Sequence, residues 1–312
     1  MKNRVVGMLG VGCYDACYNN DFDKNPREDA VGDIFATNGS IEYTMKRFFN
    51  DHLDLLNGLQ VLGLSRTDEK GVNYSLSEMI TKHFQIPMDS SKTVAQIRDE
   101  LVTRFVDVIL FGLVFAPGKG EKGKSTNVHG AISTSYGHNL WEDPIVTSSQ
   151  VQSPYRNDKN ETAERTTLGS QVRMKEGHYV HTFVVNPKNL DECVSNAFHG
   201  LTEDHYNLWK KAALHSVTYY SSASKMGCMN EFGLFVTLKD DISDPGLRYN
   251  DVSIVPDENG RPVYDLTKVA EALKDVEDDI ESVEIYYNPH KISVTGDIAN
   301  AVYYNIVSGK QM

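Results

Sequence analysis

The chain has 312 residues, 40% of them hydrophobic, and a formal net charge of −12. That is enough apolar material for a substantial core in one large domain or two, while the acidic balance argues at first sight against a nucleic-acid partner. No run of about 18 apolar residues occurs, which excludes a membrane-spanning helix of ordinary length.

In chain order, the Val- and Gly-rich stretch from Arg4 to Tyr14 reads as a first strand. It superficially resembles a signal peptide, but the apolar run is short and no small-residue cleavage site follows. A polar stretch from Asn19 to Gly39, with Pro26 and several Asn and Asp residues, reads as a long loop. Ser40 is placed to cap a helix over 40–56 whose Ile41, Met45, Phe48, Phe49 and Leu53 share one face. Val94, Ile97, Leu101 and Phe105 predict a second helix over about 93–106, and the nearly continuous apolar run Val108 to Phe115 predicts a buried strand.

Pro117 to Ser125 (PGKGEKGKS) is a Gly/Lys loop. Pro144 to Glu176 shows no convincing periodicity and is too long for an ordinary connection, which marks it as functional or disordered. A strand over Tyr179 to Val185, a helix over Thr202 to Thr218 and a strand over Phe232 to Leu238 come next. Leu266, Val269, Ala270, Leu273 and Val276 mark an amphipathic helix, with a strand at Val283 to Tyr287 after it. Without the loops, the main elements run in the βαββαβ order of an RRM-like (ferredoxin-like) fold, an α+β class with large insertions.

Charge is unevenly spread. Lys239 to Met312 holds 15 acidic and 7 basic residues, so most of the acidic excess sits in the last quarter and the rest can still present a basic face. Cys13, Cys17, Cys193 and Cys228 show no CxxC spacing, which fits a reduced, cytoplasmic protein better than a disulfide framework or a zinc knuckle.

Gly118, four residues, then Gly123-Lys124-Ser125 meet the spacing of a phosphate-binding loop. The next stretch, TNVHGAISTSYGH, is β-branched, glycine-punctuated and a poor helix, so the helix N-terminus that would hold phosphate is missing. The histidines lack HExxH or HxH spacing, no GxSxG elbow occurs, and Cys228 has no adjacent His, so neither a metal centre nor a nucleophile is expected.

Binding single-stranded RNA needs cations that track phosphate, hydroxyls and amides that fix it, and flat or apolar groups that stack on or part the bases. Four segments offer that mix. One ends in Lys46 and Arg47. A second, HGAISTSYGHNL, carries Ser133, Ser135, Tyr136 and His138. A third carries Arg156, Arg165, Arg173 and Met174, and the last, YYSSASKMGCM, carries Ser222, Ser224, Lys225 and Met226. Each has a plainer reading: a solvated helix face, a core tyrosine or a floppy loop.

At these segments the chain resembles the backbone subunit of type I CRISPR Cascade complexes, the seventh Cas family of the RAMP superfamily, and within it the type I-B branch. The similarity covers roughly residues 4–240. RVVGMLGVGCYDACYNNDFDKNPR resembles the family's first strand and Asn/Asp-rich loop, with Asn19-Asn20-Asp21-Phe22-Asp23 where N-P-N-G-D-P is usual. SIEYTMKRFFND matches the helix with a Lys-Arg pair, DVILFG the D-x-x-L-F-G strand, and HGAISTSYGH the T-G-x-x-Q-x-S-Y-G-R stretch. SSASKMG is similar to T-R-S-K-M-G and is the most specific of the five.

The resemblance implies a right-hand shape. Residues 1–240 would form the RRM-like palm with inserted fingers (about 50–106) and thumb (about 144–176), and 241–312 an α/β extension packed on the palm. It implies a guide RNA (crRNA) held by phosphate and ribose, with Asn19 and Asn20 added to the contact residues named above. Further copies of the chain would line the guide in a filament, other Cascade subunits would join, and target DNA would pair with the exposed bases. No catalytic residue, metal or cofactor is expected. Two alternatives stay open: an RNA endonuclease of the same superfamily, cutting through Asp21 or Asp23, and a nucleotide-binding loop built on Lys124.

Overall fold

The structure is a computed structural model describing residues 1–88, 91–116, 125–156, 166–239 and 243–312, the side chains of 153–156 and 166–168 excepted. The Val/Gly-rich N-terminal run forms β1 (Val5–Ala16). Its alternate residues enter two different cores, Val5, Leu9, Val11 and Cys13 on one face and Val6 and Met8 on the other. A strand buried on both faces needs this continuous apolar pattern, and its place is the centre of a sheet.

After a loop, β2 (Phe35–Ala36) leads into α1 (Asn38–Asp51), with Thr37 rather than Ser40 at the N-cap position; the Ser40 hydroxyl instead donates to the Thr37 carbonyl. A short α2 (Leu76–Glu78) and α3 (Val94–Val102) come next, each opened by a reciprocal capping box, Ser75 with Glu78 and Thr93 with Gln96. The run expected as a strand over 108–115 is instead α4 (Val106–Phe111) and a three-residue β3 (Leu113–Phe115). Its side chains Val106, Val108, Ile109 and Leu110 are all buried, and a run buried all round carries no period that separates helix from strand.

β3 pairs with β4 (Thr126–Val128), and short strands β5 (Ile132–Thr134) and β6 (Gly137–Asn139) come after it. The segment without periodicity is a β-ribbon: β7 (Val146–Arg156) pairs antiparallel with the first half of the 20-residue β8 (Thr166–Val185). Val146 to Gln152 are exposed throughout, so this arm of the ribbon has no apolar face to produce an alternating pattern. The second half of β8 pairs with β1 from Val5↔Val185 to Ala16↔Met174.

Beyond β8 come α5 (Glu203–Tyr219), capped by Thr202, and β9 (Cys228–Leu238), which flanks β1 on its other side. The C-terminal part contributes β10 (Ser253–Pro256), β11 (Pro262–Asp265), α6 (Thr267–Lys274), β12 (Ile280–Tyr287), β13 (Ser293–Thr295) and β14 (Ala301–Asn305). β12 pairs with β9 and β14 with β12, giving a nine-stranded sheet of order β14-β12-β9-β1-β8-β6-β2, with β5 and β7 also on β8. β10, β11 and β13 form a second, three-stranded sheet.

Both faces of the large sheet are covered. On one, Ile41, Met45 and Phe49 of α1 and Trp209, Ala213 and Val217 of α5 pack with Leu9, Phe183 and Phe235, joined by Leu101 and Ile109 of α3 and α4. On the other, Met8, Phe232 and Leu234 meet Ile254, Tyr264, Leu266, Val269 and Leu273 from the small sheet and α6. Among the described residues no helix is long and apolar enough to cross a membrane.

Trp209 is fully buried between Phe183, Phe235 and Tyr206, and its indole N–H has no hydrogen-bond partner among the described residues. Trp209→Ala should therefore cost about 3–5 kcal/mol in urea unfolding. Trp209→Phe should retain most of the stability, because the orphan N–H is removed along with the lost ring area.

Candidate nucleic-acid interface

The C-terminal end of β1 is where distant polar segments meet. The Tyr14 amide donates to the Gly227 carbonyl at 3.0 Å and the Cys17 amide to the Ser224 carbonyl at 2.8 Å, which ties the 221–227 loop to the strand end. Within that loop the Lys225 and Met226 amides both turn back onto the Ser222 carbonyl. Gly227 closes the turn at φ 127°, and a Cβ there would stand 2.0 Å from the Tyr14 carbonyl oxygen, so only glycine fits.

Lys225 points its ammonium at the carbonyls of Tyr18 and, at 3.4 Å, Cys17. From β8, the Arg173 guanidinium donates to the Asp15 carbonyl at 2.7 Å and the Ala223 carbonyl at 3.3 Å, and Gln171 donates to Ala223 as well. Four expected contact residues, Arg173, Ser222, Ser224 and Lys225, are thus brought together at the root of the ribbon. Both cations are held by neutral carbonyl oxygens. Among the described residues no carboxylate is paired with either, and each keeps unused N–H donors.

Lys46 and Arg47 part company. Successive side chains of a helix point about 100° apart. Arg47 turns toward Tyr220, with Asp51 at 3.9 Å, while Lys46 turns toward Glu42 at 4.0 Å, the Phe111 ring at 5.4 Å and the pocket of buried Asp107. Asp107 accepts the Leu62 and Gly63 amides, and burial pushes its pKa up against the pull of those amides and Lys46. The Arg47 side is continuous with the junction: Tyr43 meets Tyr220 edge-on at 5.6 Å and 85°, and the Tyr220 hydroxyl sits between those of Tyr43 and Ser222. Burial raises the Tyr220 pKa and the Tyr43 hydroxyl adds to this, while Arg47 and Ser222 draw it back.

A second group lies apart from the first. Ser133 is exposed on β5, Tyr136 is half-exposed and stacked on Phe35 at 5.4 Å, and His138 is stacked on Tyr249 at 3.8 Å. Burial lowers the His138 pKa, against Asp29 and Asp33, which raise it. Ser135 is half-buried and engaged within the chain: its hydroxyl accepts the Thr182 amide and donates to the Tyr136 carbonyl. The buried pair Tyr18 and His181 lies between the groups, the ring of Tyr18 under Lys225 and His181 bonded to the Ser135 carbonyl.

Several expectations are corrected. Met174 is fully buried, in contact with the Tyr179 hydroxyl, because alternate residues of a strand face opposite ways and Arg173 takes the outward position. Asn19 accepts from the amide and hydroxyl of Thr37, and Asn20 donates to the Lys24 carbonyl, so each spends one side-chain polar atom on shaping the loop after β1. Met226, by contrast, is 76% exposed beside Lys225. The Arg156 side chain, Arg165 and the Gly/Lys loop with Lys124 lie outside the described residues. Ser125 leads into the strand β4, not into the helix that a phosphate loop requires. Asp21 uses one carboxylate oxygen on the Asn25 amide.

Tyr43, Tyr220 and Gln171 went unassigned in the sequence. Tyr43 stands one helical turn before Arg47 and Tyr220 immediately precedes the 221–227 loop, spacings that carry a signal; Gln171 carries none.

A model of the CRISPR-associated protein Cas7 family matches residues 3–281. The chain belongs to the Cas7 family. No curated protein matches it. Among solved structures, a chain of a "CRISPR RNA-guided surveillance complex, pre-nicking" superposes with a TM-score of 0.51 at 12% identity, covering 97% of this chain and 96% of that one. A chain of a second CRISPR RNA-guided surveillance complex gives 0.49 at 11% identity, covering 94% and 95%. The first of these supports the fold: the α+β arrangement of one large sheet with few helices is that of a chain in a surveillance complex.

In this Cas7-family chain, Arg173→Met frees the Asp15 and Ala223 carbonyls without touching the core. Hydrogen exchange should then show residues 223–228 exchanging about ten-fold faster, as expected for lost hydrogen bonds to a charged group, with the centre of β9 unchanged.

Proposed function

We propose a specific way in which this Cas7-family chain, a crRNA-binding backbone subunit of a CRISPR surveillance complex, holds its guide. The ribose-phosphate backbone lies across the junction of β1, the 221–227 loop and the root of the β7–β8 ribbon. Arg173, Lys225 and Arg47 supply the charge, and Ser222, Ser224, Tyr43 and Tyr220 supply hydroxyls. The single observation that carries this reading is the cation pair held by backbone carbonyls, whose charge stays available to a polyanion. Contacts of this kind fix position without reading sequence, as a subunit that must accept any guide requires.

The strand order β9-β1-β8-β6 with α1 and α5 on one face supports an RRM-like palm, since β1, α1, β6, β8, α5 and β9 follow the split βαββαβ path. Its other sheet face is covered by the C-terminal small sheet and α6, so bases do not stack on the sheet as in an ordinary RRM, and the guide runs over strand ends. The β7–β8 ribbon, within the segment 144–176, acts as the thumb, and the segment of about 50–106, which carries α2 and α3, as the fingers. We read the subunit as non-catalytic, of type I-B and cytoplasmic. Further copies along the guide form a filament with the other Cascade subunits, leaving bases free to pair with target DNA.

The two neighbours on α1 test the site. Arg47→Gln should weaken guide binding and lower the slope of log K against log salt by about 0.7, as for one lost single-strand phosphate contact. Lys46→Gln should leave both unchanged, because Lys46 faces Glu42 and Asp107. Equal effects of the two substitutions would remove the junction as the RNA path.

A further inference from the structure

Below the junction lies a buried carboxylate that the guide-binding surface does not use. Glu231 is fully buried, and its Oε1 accepts from the Tyr264 hydroxyl at 2.5 Å and pairs with His178 Nδ1 at 2.5 Å. Its Oε2 accepts from the Tyr14 hydroxyl at 3.2 Å. Four strands meet on one side chain: β9, β8, β11 and β1. The sheet register shifts here, with Gly10 opposite Phe232 and Val11 opposite Asn230, so that Glu231 is the extra residue of a bulge. Bulges re-aim a side chain. β1 leaves room for it: a Cβ on Gly12 would stand 2.2 Å from Glu231 Oε2, and one on Gly10 would stand 2.8 Å from the Tyr264 hydroxyl oxygen.

Stability alone does not account for such a group. A buried ion pair is commonly replaced by apolar side chains at no loss, and what it adds is a fixed geometry. The geometry fixed here is that of the guide-holding junction. Tyr14 adjoins Asp15, whose carbonyl takes Arg173; Glu176 and His178 lie on the same strand as Arg173; Glu231 lies just beyond Cys228 at the foot of the 221–227 loop. Tyr264 belongs to the small C-terminal sheet.

We propose that Glu231 is a positioning residue for the guide: its carboxylate clamps the ribbon root and the foot of the 221–227 loop to the C-terminal unit, which thereby sets the grip on RNA. The clamp rests, for its purpose, on the guide-binding reading above. His178 makes it sensitive to protons. Burial works against a charged imidazole, but the charge and hydrogen bond of Glu231, aided by Glu176, outweigh it and hold the His178 pKa above the ordinary value. The groups facing the imidazole are Glu231 from β9, Glu176 from its own strand, Tyr14 from β1 and Tyr264 from β11, with the uncharged Trp141 against its edge. Because the folded pKa is raised, the pairing is complete below the ordinary histidine value and is lost as pH rises through the folded one.

The test uses the crRNA-loaded complex with wild-type chain, Tyr264→Phe and Glu231→Gln, read by hydrogen exchange and by guide dissociation across pH. Tyr264→Phe removes one hydroxyl and should leave α5 protected, while residues 171–177 and 223–229 exchange on the order of ten-fold faster, as for a lost hydrogen bond to a charge. Wild-type guide release should speed up as pH rises through the His178 transition, and Glu231→Gln should show fast release with no such step. Exchange in Tyr264→Phe equal to wild type, or loosening spread evenly over the sheet, overturns the clamp. Should Glu231→Gln not fold, Tyr264→Phe decides alone. Should the wild-type chain carry no RNA, the guide-binding reading fails, and exchange in the free protein still decides the clamp.

Discussion

Burial of both faces of the nine-stranded sheet is the constraint on which the rest of the structure depends. A sheet with one open face can offer it to a ligand; here the helices take one face and the C-terminal unit the other. Strand ends, loops, projecting ribbons and the outer sides of the helices remain to meet a partner. The end of β1 serves best because it is the central strand, with neighbours on both sides that each run on into a polar segment. β8 continues into the ribbon and β9 is entered from the 221–227 loop. The covering of the sheet and the position of the candidate site are therefore one fact.

The same burial explains what the sequence conceals. Strands β1 and β9 and helix α5 were legible because each has a strong pattern of its own, continuous for a strand covered twice and one-sided for a helix on a sheet. The run over 106–115 was not legible, since buried helix and buried strand look alike when every neighbour is apolar. The ribbon was hidden for the opposite reason, its exposed arm having no apolar face at all. Four segments of RNA-suited chemistry could be picked out, but only part of that set meets at the junction. The hydrogen bond from Arg173 to Asp15 joins residues 158 apart, and nothing local announces it.

Neighbouring residues show how much depends on facing. Lys46 and Arg47 are alike in composition and adjacent in sequence, yet one serves the packing of α1 against α4 and the other adjoins Tyr220. Arg173 and Met174 are adjacent on a strand and point to opposite sides, one to the junction and one to the core. A motif read as a string assigns both members of each pair; the period of the element carrying it assigns one.

Charge is the remaining constraint, because a chain of net charge −12 has to hold a polyanion. Several cations elsewhere on the surface are matched to carboxylates: Arg4 to Asp244, Arg98 to Glu192, Lys210 to Glu284. Pairs in direct contact are locally neutral and offer phosphate little, whereas Arg47 stands 3.9 Å from Asp51, at the loose end of the range. At the junction Lys225 and Arg173 are oriented by carbonyl dipoles, which fix the side chains as an ion pair would while no carboxylate among the described residues is paired with either. Opposite unit charges about 4 Å apart attract several-fold more strongly near a protein surface than in bulk water. Distant carboxylates beyond about 10 Å are screened by salt. Local neutrality, not the sum over the chain, decides where a phosphate can rest, and at the junction two carbonyl-held cations stand together with no carboxylate paired to either among the described residues.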